Sequence, residues 1–128
     1  MSNSKAPIGS IGWFDLTVAN ADECRDFYEA VVGWKAAELS MGDYSDYVMS
    51  TPAEESPVAG VCHARGGNAG LPPQWLMYVH VEDIEQSLDA CTQRGGTIVS
   101  PVRIMKGQGK YSVVQDPAGA VLALFEQE

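Results

Sequence analysis

IGWFDLTVANADECRDFYEAVVGW, from Ile11 to Trp34, reads as one strand, one turn and one amphipathic helix stopped by a glycine. Between Ile11 and Val18 the residues alternate. Phe14, Leu16 and Val18 make an apolar set and Trp13, Asp15 and Thr17 a mixed one, the pattern of a strand with two unlike faces. Asn20 stands where it can cap a helix, and Glu23, three residues on, can complete a capping box. A helix is therefore predicted from near Ala21. Cys24, Phe27, Tyr28 and Val31 recur at helical spacing and predict one apolar stripe, and Gly33 supplies the left-handed residue that ends it.

The same unit returns 63 residues later. Trp75, Met77, Val79 and Val81 alternate with Leu76, Tyr78 and His80, again an apolar face against a mixed one. Asp83 and Gln86 take the capping positions of Asn20 and Glu23. Ile84, Leu88 and Cys91 form the stripe, and Gly95 and Gly96 end it, Gly96 standing where Gly33 stood. Short strands follow each helix: Trp34 to Leu39, Tyr44 to Met49 and Val58 to His63 in the first copy, then Thr97 to Ser100, Tyr111 to Val114 and Ala120 to Phe125 in the second. Pro101 to Gly109 is predicted as a loop, and RGGNAGLPP, Arg65 to Pro73, as a flexible crossing between the copies. The expectation is an α+β fold of two βαβββ modules within a single domain spanning 1–128: module 1 over about 8–64, linker 65–73, module 2 over about 74–128. The apolar sheet faces go under the helices, and the mixed faces curve around a cavity with the helices outside.

Composition narrows the function classes. The chain has 128 residues, 45% of them hydrophobic, enough for a packed core. Eight Lys and Arg against 17 Asp and Glu give a net charge of −9, which repels phosphate backbones and anionic lipid, so neither nucleic acid nor membrane is expected as a partner. No run is long and apolar enough to span a bilayer and MSNSKAPIGS carries no apolar h-region, so a cytoplasmic location is expected. Cys24, Cys62 and Cys91 lack CxxC spacing and read as reduced core residues.

Three runs carry a family resemblance: FYEAVVGW (Phe27 to Trp34), VEDIEQSLDACTQRGG (Val81 to Gly96) and DPAGAVLALFE (Asp116 to Glu126). With them the chain resembles the glyoxalase, bleomycin-resistance and extradiol-dioxygenase superfamily, the vicinal oxygen chelate proteins. The resemblance implies paired βαβββ modules around a sheet-lined cavity, frequently in a homodimer. It also implies a divalent metal held by His and Glu side chains from the first and last strands of each module. Carried onto this chain, those positions fall on Trp13 and Leu76 in the first strands and on Ala123 in the last. Aligning SPVAGVCH with DPAGAVLA puts the remaining position on His63. A zinc site takes about three or four protein ligands and a non-haem iron site two His and a carboxylate, so one ligand in four positions holds no metal. No metal and no cofactor are expected.

Strand alternation instead predicts that Trp13, Asp15, Thr17, Leu76, Tyr78, His80, Ala123 and Phe125 line the cavity, with His63 joining from the fourth strand. Aromatic walls with sparse polar groups suit a small amphipathic or aromatic ligand. Asp15 and His80 form the candidate acid–base pair. The alternatives are a lyase, isomerase or dioxygenase with a metal at a shifted site near His63 and His80, and a metal-free enzyme using Asp15 and His80. Arg94, Arg103, Lys106 and Lys110 hold half of the chain's positive charge and read as a loop that greets an anion or as a solvated, charge-balancing one.

Overall fold

A computed structural model describes residues 5–128. Its elements are β1 (Ile11–Val18), α1 (Ala21–Val31), β2 (Lys35–Ser40), β3 (Ser45–Ser50), β4 (Pro57–His63), a 3-10 turn (Gly66–Asn68), β5 (Trp75–His80), α2 (Ile84–Gln93), β6 (Thr97–Met105), β7 (Gly109–Gln115) and β8 (Val121–Gln127). The fold is α+β and is built from two βαβββ modules. Strand order is β2-β3-β4-β1 in the first module and β5-β8-β7-β6 in the second. In each, the opening and closing strands run parallel and the other neighbours antiparallel. Asp15 registers with Gly60 and Tyr78 with Ala123, so the 63-residue offset maps one parallel pair onto the other.

The chain forms two compact bodies, Phe14–Trp75 and a second comprising Leu76–Glu128 with the segment that ends at Trp13. In the first, α1 packs on Leu16, Val18, Tyr47, Met49 and Val61 through Ala21, with Cys24, Tyr28, Trp34 and Trp75 around the rim. Two expectations need correcting here. Phe27 and Val31 are 55% and 64% exposed, so the inward face of α1 is Ala21, Cys24 and Tyr28. These three, spaced i, i+3 and i+7, bring the small Ala21 against the sheet and rotate the bulkier apolar residues outward. Asn20 makes no side-chain cap; its Nδ2 donates to Glu23 Oε1 at 2.9 Å. Tyr28 is anchored, its hydroxyl accepting from Trp75 Nε1 at 2.9 Å and its ring edge-on to that indole.

In the second body, Ile84, Leu88, Val114 and Leu124 form the core, with Val81, Cys91, Val102 and Leu122 packed against it. Here the cap is as expected: Asp83 Oδ1 accepts from the Gln86 amide at 3.2 Å, and Glu126 Oε1 takes the Ile84 amide at 2.9 Å. Two of the four orphan amides at this helix start are thereby satisfied. The left-handed residue after α2 is Gly95, at φ 92°, rather than Gly96. Gly96 is needed for another reason: a Cβ there would lie 2.6 Å from Cys91 Sγ and 2.8 Å from the Gln115 carbonyl. The predicted loop from Pro101 is largely strand, β6 continuing to Met105. Pro101, which has no amide to donate, falls where the β6–β7 register shifts between Ser100 and Arg103. The leading segment joins this body through Gly9 N to His80 O at 2.8 Å and His80 N to Ser10 O at 2.9 Å.

Candidate functional site

The parallel β5–β8 pair sets one face of module 2. Val79 registers with Leu124, a core residue under α2, so Tyr78, His80, Ala123 and Phe125 point the other way. Leu76, two residues before Tyr78, shares their side by alternation and is 1% exposed. Antiparallel pairing then extends each row. His80, Phe125, Tyr111 and Arg103 form one rung across four strands, and Tyr78, Ala123, Val113 and Ser100 the next. The His80 and Phe125 rings meet edge-on at 5.6 Å, and Tyr78 and Tyr111 lie 6.0 Å apart.

His80 holds its place by what surrounds it. A Cβ on Gly12 would overlap the imidazole at Nε2, so the bare backbone of β1 is what admits the ring. Its Nδ1 is buried and has no hydrogen-bond partner among the described residues. Two cavities of about 340 Å³ each meet at this residue. The leading segment, including Lys5 and Ile8, lines one together with Glu82; Gly107, Gln108 and Phe125 line the other; His80 and Gln127 belong to both. Gln127 is oriented by the Ala6 amide, which donates to its Oε1 at 2.7 Å. Sequence reasoning missed Gly12, Tyr111, Arg103 and Gln127 as neighbours of this site. Tyr111 and Gln127 carried a readable signal in the alternation of β7 and β8, whereas the approach of Gly12 to His80 has none.

The first-module candidates are positioned by β1 and β4. Asp15 and Thr17 register with Gly60 and Cys62 in the body Phe14–Trp75, so Asp15 and His80 belong to different bodies, while Trp13 belongs with module 2. His63 does not share the face of Thr17. It registers with Val18, on the side covered by α1. There its amide donates to Asp46 Oδ1 at 2.8 Å, and its ring nitrogens lie 3.3 Å from Asp46 Oδ1 and 3.5 Å from Asp22 Oδ1. Asp22 also accepts a short hydrogen bond from the Tyr47 hydroxyl, and that bond, ahead of the charges of His63 and Arg25, holds its carboxyl below the usual range. Burial, reinforced by Asp15 and Asp46, pushes the Cys62 thiol far up, so it is no nucleophile at neutral pH.

The parallel registers also correct the ligand positions. Ala123 pairs with Tyr78, whose first-module equivalent Asp15 pairs with Gly60, so the counterpart of Ala123 is Gly60 and that of His63 is Glu126. Trp13, Leu76, Gly60 and Ala123 offer no metal-binding side chain. Among the described residues no three His, Cys, Asp or Glu side chains come together as a metal-binding group. The residues present do not fit the family's divalent metal.

A family model described as Glyoxalase/Bleomycin resistance protein/Dioxygenase superfamily matches residues 10–124. The chain belongs to this superfamily. Among curated relatives, "Putative glyoxylase CFP32" of Mycobacterium bovis is 28% identical over 119 residues, covering 92% of this chain and 46% of that protein. "Anthracycline biosynthesis protein DnrV" of Streptomyces peucetius is 26% identical over 93% of this chain and 47% of its own length. The chain thus spans about half the length of the curated relatives it matches. In fold it is similar to methylmalonyl-CoA epimerase from Mycobacterium tuberculosis, with a TM-score of 0.54, 14% identity and coverage of 98% of this chain and 94% of that one. It is also similar to the hypothetical protein BH1468 from Bacillus halodurans C-125, with a TM-score of 0.58, 12% identity and coverage of 94% and 95%. Among the described residues no helix is long and apolar enough to cross a membrane.

Proposed function

We propose that this superfamily member binds a small amphipathic or aromatic molecule, without a metal, on the sheet face of module 2 around His80. The observation that carries the reading is the buried Nδ1 of His80, which has no partner among the described residues and lies where two cavities meet. Buried polar atoms are nearly always hydrogen-bonded, and one that is not, beside space for a ligand, has the geometry of a docking group. Tyr78, Tyr111 and Phe125 supply the apolar surface such a molecule stacks on.

A shifted metal site near His63 and His80 draws no support from the geometry, because both ring nitrogens of His63 already face carboxylates of its own module. The test is a thermal-shift screen of aromatic and amphipathic compounds against the wild type and His80→Ala, run beside dialysis against zinc, nickel, manganese and iron. The expected result is a compound that raises the melting temperature of the wild type and loses at least half of that shift in His80→Ala, with no cation retained. Retention of one cation per chain, or a shift indifferent to His80, overturns the proposal.

A further inference from the structure

We propose that the ligand of this face is an aromatic anion, its negative group held by Arg103, its rings laid over Tyr111 and Phe125 and its far end at His80. This rests on the reading of the face as a binding site and names the ligand class.

The register places Arg103 opposite Tyr111, Tyr111 opposite Phe125 and Phe125 opposite His80, so the four residues stand in one row on one side of the sheet. Neighbours on β6 fix that side. Val102 packs into the core beneath α2, and Arg103 Nε donates to Ser100 Oγ at 3.4 Å on the opposite side. Three inter-strand steps of about 4.8 Å put roughly 14 Å between the two ends of the row. A linked or fused ring system with a terminal anion fits that span.

Charge gives the second argument. Acidic residues outnumber basic ones 17 to 8, and Arg25, Lys35 and Lys110 each have a carboxylate within 4.0 Å. Half-buried Arg103 has none at ion-pair distance among the described residues. Its hydrogen bond to Ser100 runs through Nε, and the terminal amino groups form the planar edge that takes a carboxylate or phosphate in two parallel bonds. A partly desolvated cation with no counter-ion among the described residues, beside an aromatic row, is complementary to an aryl anion.

Calorimetric titration with 2-naphthoate and with its neutral isostere 2-naphthamide tests this in the wild type, Arg103→Gln, Arg103→Lys and Phe125→Ala. The wild type is expected to prefer the anion by about ten-fold, as one charge-assisted contact gives. Arg103→Gln should abolish that preference by weakening naphthoate about ten-fold more than naphthamide, Arg103→Lys should keep part of it, and Phe125→Ala should weaken both ligands alike. Equal binding of the two probes by the wild type, or a preference that survives Arg103→Gln, overturns the anion assignment and leaves small-molecule binding at His80 standing. Binding of neither probe also overturns it, and the screen with His80→Ala then decides the broader reading. Unchanged melting of each free variant shows that it is folded.

Discussion

The site turns on which residues carry side chains and which do not. At the four positions where the superfamily's metal ligands would stand, this chain has Trp13, Leu76, Gly60 and Ala123, apolar groups or bare backbone in place of ligating side chains. Beside them the absence of a side chain at Gly12 makes room for His80. Gly12→Ala is therefore expected to destabilise the protein by about 1–3 kcal/mol, the ordinary cost of overpacking. In the His80→Ala background the same change should cost little, and the coupling is read from urea melts of the four proteins in a double-mutant cycle. Equal costs in both backgrounds would mean the imidazole yields freely. The shared face of His80, Tyr78 and Phe125 was legible in the sequence because period-two alternation assigns a face without further information. His63 was not, since its assignment depended on an alignment of two strands that slipped by three residues, which an odd shift turns into the wrong face.

At the scale of elements, α1 is fastened to its sheet by polar groups as well as by its apolar stripe. Asp22, on the first turn, is bonded by the Tyr47 hydroxyl and faces His63, while the Arg25 guanidinium lies 4.7 Å over the Tyr47 ring. The hydrogen bond from Tyr47, with smaller help from His63 and Arg25, lowers the Asp22 carboxyl. The same bond, with burial, raises the Tyr47 hydroxyl. A carboxyl lowered on folding contributes stability that is complete above its ordinary value near pH 4 and is lost as pH falls through the folded value. A raised phenol contributes below its ordinary value near pH 10, and that contribution is lost as pH rises through the folded one. Tyr47→Phe is thus expected to melt below the wild type at neutral pH, by a gap that narrows at both the acid and the alkaline end. A gap constant from pH 7 to pH 3 would show that the bond contributes nothing. The apolar pattern of α1 announced a helix correctly but not its orientation, because Cys24, Phe27, Tyr28 and Val31 span more of the surface than the sheet covers.

For the whole molecule, the duplication is the governing fact. Two copies of one strand–helix–three-strand unit, related by a 63-residue offset through the first strand, the helix start and the last strand, each put a helix on one face of their four strands. The curated relatives are about twice as long as the stretch this chain matches, and the family resemblance implies a homodimer. Light scattering on the purified protein is expected to give twice the chain's 13.7 kDa. A monomer mass at working concentrations would remove the homodimer from the proposal. By itself the sequence determined the module, its repetition and the faces of β1, β5 and β8, all of which follow from local periodicity and residue chemistry. Only tertiary structure decided the register of β4 against β1, the continuation of β6 past Pro101, the fit of His80 over Gly12 and the row that joins it to Arg103. Those depend on which strands become neighbours and at what offset, and distant pairing is set by the packing of whole elements rather than by any short stretch of chain.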